Sequence, residues 1–369
     1  MSSRRPTGRR VEDRGRCRSN RRGCDCSFDR LSRILTREWT VNAAYHWCAS
    51  RAQTKFGGRM ALNLNGLVPA TVLPMHADGS IDEAGLRSYI AWIARQGPVA
   101  LAINVDTGEG PHLTHDEKIR VLRVVREVTE LPIVAGIAGP STDAAVRQAR
   151  DFKAAGADAL LVFPIPAYLS EPLDVRIPVQ YHEAIADVGL PLILFQLQPA
   201  LGGLNYEPDT IRAMASVDGV VAIKEASFDA RRFVETAQLL ASLPRPITLL
   251  TGNDNFILES FILGATGALI GFGAVMTRQQ VDMIDAWTED RIDDARAIGR
   301  RVQRLADVVF TRPVGDYRVR LKECLCILGV LEAAHVRKPL LAISDAERAH
   351  LAGVLTEVGL LRDTAPTLA

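Results

Sequence analysis

Short apolar runs alternate with longer amphipathic stretches along the chain from residue 66 onward. Eight of the short runs are apolar enough to be buried strands, and they lie at residues 67–73, 100–105, 132–137, 159–163, 192–197, 220–224, 247–250 and 268–272. Apolar residues recur at helical spacing between and after them, at residues 81–95, 115–128, 142–155, 175–186, 208–216, 229–240, 255–264 and 277–287. Strands that alternate with helices predict βαβ units and a parallel sheet.

Eight such units over about 200 residues predict an α/β fold of the (β/α)8 type, the TIM barrel. A doubly wound open sheet is the alternative, but it usually has fewer strands and a glycine-rich phosphate turn after the first one. Residues 74–79 follow the first predicted strand and do not match that turn. Helical patterns at residues 290–310, 319–331 and 344–358 exceed what a barrel needs, and they predict a C-terminal helical extension. We therefore divide the chain into residues 1–59, a barrel at 60–288 and a helical region at 289–369.

The first 59 residues differ in composition from the remainder. They hold about 15 Lys and Arg against about 5 Asp and Glu, whereas the 369-residue chain has a net charge of only +1. Residues 4–22 contain few large apolar side chains, so we expect them to be disordered. Met60 opens a stretch typical of the start of a compact domain. We expect the preceding segment to be a poorly ordered tail or the product of a gene start assigned too far upstream.

Two sharper hypotheses apply to this basic segment. Clustered arginines would neutralise nucleic-acid phosphates, and Cys17, Cys24 and Cys26 with His46 or Cys48 would form a zinc site. The cysteine spacing fits no paired C-x2-C pattern, which argues against zinc. We expect neither a metal nor a nucleic-acid partner.

Compartment follows from two further features of the sequence. No apolar run reaches the ~20 residues of a membrane helix, and no apolar segment of a secretory signal follows the Arg-rich start. Four of the six cysteines lie in the basic segment, so the barrel has almost none and needs no disulfides. A reducing, cytoplasmic location without membrane association is therefore expected.

Lys224 ends the apolar run at residues 220–224. In a TIM barrel the chemistry lies at the C-terminal ends of the strands, which is where this lysine is expected. Burial makes a lysine lose its proton more easily, and the neutral amine is a nucleophile towards carbonyls. The alternative is a lysine that extends out of the strand end to solvent or to a carboxylate.

Several short motifs stand in a fixed order along the chain. They are residues 66–71 continuing into 78–82, Thr107-Gly108-Glu109-Gly110, residues 156–159 and residues 223–227, supported by residues 251–254, 264–267 and 336–340. Together they resemble the dihydrodipicolinate synthase / N-acetylneuraminate lyase family over about residues 62–362. The resemblance implies a TIM barrel with a C-terminal helical extension, usually as a homotetramer. It also implies that Lys224 forms a Schiff base with pyruvate or a related 2-oxo acid, without metal or organic cofactor.

Two of the sequence's departures from the family pattern concern acid/base chemistry. The family's acid/base tyrosine usually ends the fifth strand, where this chain has Phe195, and a phenyl ring cannot transfer protons. Asp106 stands where the family has the first hydroxyl residue of its Thr-Thr-Gly-Glu motif. Asp106 would take over the acid/base task, or it is a structural aspartate bonded to the loop backbone.

The other candidate site residues share a position at the ends of predicted strands. Thr107 and Gly108 are expected to present backbone N–H groups to a substrate carboxylate, whereas Glu109 is expected to anchor the loop. Tyr168 would supply a phenol by loop rearrangement or pack as an aromatic. The remaining predicted substrate contacts are Phe195 as an apolar wall, Gln196 and Asn253 as polar contacts, and Gly271.

These residues predict a lyase, either an aldolase or a dehydratase, that acts on a small-molecule 2-oxo acid and an aldehyde. A homo-oligomer, tetramer or dimer, is expected. One alternative is a non-catalytic descendant that only binds a 2-oxo acid. The other is a true 4-hydroxy-tetrahydrodipicolinate synthase, but residues 200–203 lack the basic side chain that would clamp its dicarboxylate partner.

Overall fold

The computed structural model describes residues 62–361, preceded by the backbone of a short antiparallel hairpin, Lys55–Phe56 with Arg59–Met60. Apart from that hairpin, the predictions for the basic N-terminal segment lie outside the described residues, including disorder, the cysteine cluster and nucleic-acid binding. No helix of the described part is long and apolar enough to cross a membrane.

Eight parallel strands form the centre of the molecule. They are β1 (Leu67–Pro69), β2 (Leu101–Ile103), β3 (Ile133–Ile137), β4 (Ala159–Val162), β5 (Leu192–Leu197), β6 (Val220–Ala226), β7 (Thr248–Thr251) and β8 (Gly267–Ile270). Each strand pairs with the next, and β8 pairs with β1. A parallel bridge between Ala70 and Ala102 joins the first two strands, so the sheet closes on itself. The predicted TIM barrel is confirmed.

Helices follow the strands and cover the outside of the barrel. They are α1 (Glu83–Ala94), α2 (His115–Val128), α3 (Thr142–Ala154), α4 (Arg176–Ala186), α5 (Pro208–Ala215), α6 (Ala230–Ala241), α7 (Ile257–Ile262) and α8 (Thr277–Thr288). Several begin at side-chain caps. The hydroxyl of Thr114 accepts the backbone N–H of Glu117, whose carboxylate accepts the Thr114 N–H in return, and this capping box fixes where α2 begins.

Successive side chains of a strand point to opposite faces, so the buried strands contribute side chains to two separate apolar clusters. On β5, Ile193 and Phe195 belong to the cluster inside the barrel, whereas Leu192 and Leu194 belong to the layer between strands and helices. On β6, Ala222 and Ala226 point inward, which also directs Lys224 into the barrel. This alternation decides which predicted site residues face the interior.

The predicted C-terminal extension consists of three helices, α9 (Ile292–Val309), α10 (Tyr317–Ile327) and α11 (Asp345–Glu357). The tenth helix begins two residues before the sequence pattern predicts, and this difference adds Tyr317 and Arg318 to it. Arg320 and Lys322, on the same helix, are buried although they are charged. Buried cations need partners, and the loops at the end of the barrel provide them.

Candidate active site

Lys224 lies inside the barrel near the C-terminal end of β6, with 8% of its surface exposed. Its Nζ atom is 4.2 Å from the centroid of the Phe195 ring, which stands opposite it on β5. Burial lowers the pKa of Lys224 to about 8, while the negative charges of Asp254 and Asp106 act in the other direction. Near neutral pH a useful fraction of this amine is therefore unprotonated and nucleophilic.

Gly252, just after β7, is a glycine that lies beside the Lys224 side chain. A Cβ atom at this position would lie 2.8 Å from Cε of Lys224 and 2.6 Å from Cβ of Ala226. No real side chain tolerates those distances. Glycine at this position therefore leaves the space that the Lys224 side chain occupies.

Asp254 follows β7 and is buried near the lysine. Its Oδ1 atom accepts the backbone N–H of Phe272 at 2.8 Å. Burial raises the pKa of Asp254 to about 7, against the effects of that hydrogen bond and of the positive charge of Lys224. The two groups therefore hold protons of similar affinity near neutral pH, an arrangement that is characteristic of acid/base sites.

Asp106 is not a free carboxylate, because helix α10 approaches it from the C-terminal region. The hydroxyl of Tyr317 donates to its Oδ2 atom at 2.8 Å. The guanidinium of Arg318 forms an ion pair with Oδ1, and Nε of the same arginine donates to the Asp106 carbonyl oxygen at 2.9 Å. The arginine compensates the charge that would otherwise repel a substrate carboxylate.

Tyr317 places a buried phenol among the strand-end loops. Its hydroxyl is 3.4 Å from Oγ1 of Thr107, and its ring stacks on Phe310 with centroids 4.9 Å apart. Burial, followed by the charge of Asp106, raises the pKa of the phenol well above its ordinary value. A Cβ atom at Gly271 would lie 3.1 Å from the Tyr317 ring and 3.2 Å from Oγ1 of Thr107. The absence of a side chain at Gly271 thus makes room for the tyrosine.

Glu109 lies in the loop after β2 and bonds to two residues of the C-terminal region. Its carboxylate pairs with Nζ of Lys322 at 2.5 Å, and neither side chain has any exposed surface. The backbone N–H of Arg337 donates to the other carboxylate oxygen at 2.8 Å. Glu109 is therefore an anchor between the loop and the C-terminal region, as its expected role required.

Gln196 and Asn253 do not face the interior beside Lys224. The Gln196 amide donates to Oε1 of Glu225 at 2.8 Å and accepts the backbone N–H of Tyr206 at 3.2 Å. The Asn253 amide donates to Oε2 of Glu225 at 2.7 Å and accepts the N–H of Phe228 at 2.6 Å. Alternation along β5 and β6 sends Gln196 and Glu225 outward. The predicted substrate contacts of Gln196 and Asn253 therefore do not agree with this geometry, and both amides instead support the strand that carries the lysine.

For Tyr168 the structure shows the second of its two expected roles, and for Gly108 it shows a different hydrogen-bond partner from the expected one. Tyr168 lies in the outer apolar layer, with its ring 6.0 Å from that of Tyr181 and 6.2 Å from that of Tyr206, and no described residue hydrogen-bonds its hydroxyl. It packs as an aromatic. The backbone N–H of Gly108 donates to the Val105 carbonyl at 3.1 Å, so the turn itself uses the group that was expected to bind a carboxylate.

The residues that the structure does bring together are Lys224, Phe195, Asp106, Thr107 and Gly271. Tyr317 and Arg318 also lie at this site. The rule that functional residues follow the barrel strands does not find them, because α10 lies outside the eight βα units. The only sequence signal is the density of Arg and Lys in a helix that follows the barrel. Within the described residues, no group of three or more His, Cys, Asp or Glu is placed to hold a metal ion.

Comparisons with known proteins agree with the resemblance read from the motifs. Residues 63–358 match the dihydrodipicolinate synthetase family. The chain is 30% identical over 295 residues to the 4-hydroxy-tetrahydrodipicolinate synthase of Methanothrix thermoacetophila, which covers 79% of this chain and 96% of that protein. The structure is similar to that of dihydrodipicolinate synthase from Aquifex aeolicus, with a TM-score of 0.71, 26% identity, and coverage of 81% and 99% of the two chains. The chloride-inhibited dihydrodipicolinate synthase from Acinetobacter baumannii complexed with pyruvate gives a TM-score of 0.71, 25% identity and the same coverage.

Proposed function

Because the chain belongs to the dihydrodipicolinate synthetase family, a family of lyases, we propose that it cleaves or forms bonds in small 2-oxo acids through a Schiff base on Lys224. The observation that carries the proposal is the buried amine of Lys224 at the carboxyl end of a barrel strand. Burial lowers its pKa to about 8, so the nucleophilic form is accessible near neutral pH. The pyruvate bound to the relative from Acinetobacter baumannii supports a 2-oxo acid as the substrate class.

The chemistry follows from the neutral amine. Lys224 adds to the C2 carbonyl, and loss of water leaves an iminium ion that withdraws electrons from the neighbouring bonds. A bond next to the former carbonyl then breaks, or a proton leaves C3 to give an enamine. The hydroxyl of Thr107 is the proposed donor to the substrate carboxylate. Asp106 is proposed as part of the acid/base group, and Phe195 as the apolar wall beside the amine.

Trapping with pyruvate and borohydride tests the assignment of the amine. Intact-mass and peptide mass spectrometry should find one reduced pyruvate adduct, located on Lys224, and Lys224→Met should abolish it. Lys118 is the matched control, because burial also lowers the pKa of that lysine. Lys118→Met should keep the adduct. If no 2-oxo acid in a broad set gives an adduct on Lys224, the proposal is wrong.

A second candidate is 4-hydroxy-tetrahydrodipicolinate synthase itself, since relatives about 30% identical carry that name. Phe195 and the lack of a basic side chain at residues 200–203 make the lyase with another acceptor the better supported reading. Consumption of pyruvate with aspartate semialdehyde, measured beside a panel of other aldehydes, separates the two. Turnover that disappears in Lys224→Met would also exclude a non-catalytic binding protein.

Assembly and location complete the proposal. A homo-oligomer, tetramer or dimer, is proposed from the family resemblance, and light scattering on the purified chain tests it. A cytoplasmic location is in keeping with the free thiols of Cys324 and Cys326. Fractionation of cells that express the native gene would test this location.

A further inference from the structure

We propose that Tyr317, a residue of the C-terminal helix α10, transfers the proton that must move when Lys224 adds to a 2-oxo acid, with Asp106 as its relay partner. The inference rests on the proposed Schiff-base function and names a group that the strand ends do not supply. Tyr317 would contact the tetrahedral adduct, so it would be a catalytic residue, whereas Arg318 would position Asp106.

Imine formation creates the need for such a group. Addition of the amine to C2 forms the C–N bond and leaves a positively charged nitrogen and a negatively charged oxygen. One proton must pass from that nitrogen to that oxygen before water can leave. The ring beside Nζ of Lys224, 4.2 Å away, belongs to Phe195 and has no proton to exchange. Another side chain must therefore transfer it.

The position of Tyr317 suits this task. It contacts Thr107, which follows β2, and Gly271, which follows β8, so its phenol lies among the C-terminal ends of the strands. Lys224 occupies the same end of β6. Gly271 packs against the Tyr317 ring, and the next residue, Phe272, donates its backbone N–H to Asp254. Asp254 is two residues from Gly252, which packs against the Lys224 side chain, so the phenol and the amine lie at the same end of the barrel. A larger residue at Gly271 would push the phenol out of this position.

Hydrogen bonding prepares the phenol to pass a proton on. The Tyr317 hydroxyl donates to Oδ2 of Asp106 at 2.8 Å, which leaves a lone pair of its oxygen available to accept. Arg318 forms an ion pair with Asp106 and thereby holds its carboxyl beside the phenol. A proton from the adduct nitrogen can therefore move to the Tyr317 oxygen as the phenolic proton moves to Asp106. The reverse movement delivers a proton to the adduct oxygen, so the neutral carbinolamine forms with no net consumption of protons. Its hydroxyl group then leaves as water with one further proton taken from solvent, and the iminium ion remains.

Asp254 does not serve the same purpose in this scheme. Its carboxyl is coupled to the charge of Lys224 and accepts the N–H of Phe272. Its negative charge favours the protonated amine of Lys224 before addition. Transfer to the adduct oxygen still requires a second group, and Tyr317 is the buried phenol that touches the loop after β2.

Timed borohydride quenching of the wild-type chain with pyruvate tests the role. Tyr317→Phe should slow adduct formation on Lys224 by about 100-fold, the usual scale of a lost acid/base group, while the final extent of labelling stays unchanged. Tyr89→Phe is the control, because it removes a buried hydroxyl of the outer apolar layer that donates a long 3.5 Å hydrogen bond to the Ala274 carbonyl. It should react at the wild-type rate.

A rescue separates proton transfer from a structural effect. Phe195→Tyr in the Tyr317→Phe background puts a phenol beside Nζ of Lys224. Adduct formation should then be at least about tenfold faster than in Tyr317→Phe alone, compared with the roughly 100-fold that a complete acid/base group contributes. If Tyr317→Phe fails to fold, Asp106→Asn should show the same slow labelling. Equal rates for wild type and Tyr317→Phe would overturn the role of Tyr317 alone. A wild-type chain that forms no adduct would overturn the proposed function and this role with it.

Discussion

The carboxyl of Asp254 and the amine of Lys224 hold each other near their ionisation points inside the barrel. Burial raises the pKa of the acid to about 7 and lowers the pKa of the amine to about 8, while each charge favours the ionised form of the other. Burial alone would drive both groups neutral. The coupling between them therefore sets the pH at which the amine becomes nucleophilic.

Asp254→Asn should move that pH downward. The substitution removes the negative charge that favours protonated Lys224, so the pKa of the amine should fall further, by roughly one unit. The rate of adduct formation with pyruvate, measured across pH 5 to 9, should reach half its maximum at a lower pH than in wild type. Asp143→Asn, at the exposed start of α3, is the control and should leave the profile in place. A profile that stays put or moves upward in Asp254→Asn would contradict the coupling.

The buried ion pair between Lys322 and Glu109 should be costly to break from one side. Lys322→Met leaves a carboxylate without exposed surface and without its cation, so the free energy of unfolding should fall by about 3–5 kcal/mol. Urea unfolding gives the measurement. The double variant Lys322→Met with Glu109→Gln should recover much of the loss, because no uncompensated charge remains. Equal stability of the single and double variants would show that the pair is not the source of the effect.

Acid should destabilise the junction between α2 and the C-terminal region through Glu117. A hydrogen bond from Arg337 lowers the pKa of Glu117 from 4.5 to about 2. Its folded-state pKa is depressed, so this stabilisation is complete above pH 4.5 and disappears as the pH falls towards 2. Arg337→Gln should therefore lose stability at pH 7 and show a shallower acid dependence below pH 4.5. Unfolding in urea at a series of pH values measures both.

The matched control for that junction is an exposed pair. Arg87 and Glu127 contact each other at 2.6 Å with side chains that are 42% and 60% exposed. Such pairs contribute little, so Arg87→Gln should change the free energy of unfolding at pH 7 only slightly. An Arg337→Gln variant no less stable than Arg87→Gln would refute the junction.

The barrel and the position of Lys224 near a strand end could be predicted from the sequence because both depend on local patterns. Buried parallel strands read as apolar runs, and the last residue of such a run marks the functional end of the barrel. That rule selects Lys224 as a candidate, and the resemblance to the family supplies its expected chemical role. Local patterns do not indicate which distant segments of the chain pack together, so the approach of α10 to Asp106 could not be predicted from them.

Two physical reasons account for the differences between the predicted and the observed site. Residues next to each other on a strand point to opposite faces, so a strand-end rule alone cannot separate Phe195 from Gln196. The rule therefore selected Gln196 and Asn253, which support Glu225 behind the barrel wall. The rule also missed Tyr317, because its helix belongs to the C-terminal extension and not to the eight βα units. Lys224 points into the barrel, so alternation along the strands could have identified which other side chains also point inward. That step would have excluded Gln196 as a substrate contact, but it would not have found Tyr317.

Gly252→Ala should disable the amine without unfolding the barrel. The added methyl group would lie 2.8 Å from Cε of Lys224 and 2.6 Å from Cβ of Ala226, so the lysine side chain has to shift and β6 has to move slightly at Ala226. A displacement of about 1 Å at a reacting group commonly lowers rates by about 100-fold, and adduct formation with pyruvate should slow by that order. Gly353→Ala is the control, because a Cβ atom there meets nothing within 4 Å, and it should react like wild type. Gly252→Ala that labels Lys224 at the wild-type rate, with a normal unfolding transition, would show that the position of the amine is less constrained than the structure indicates.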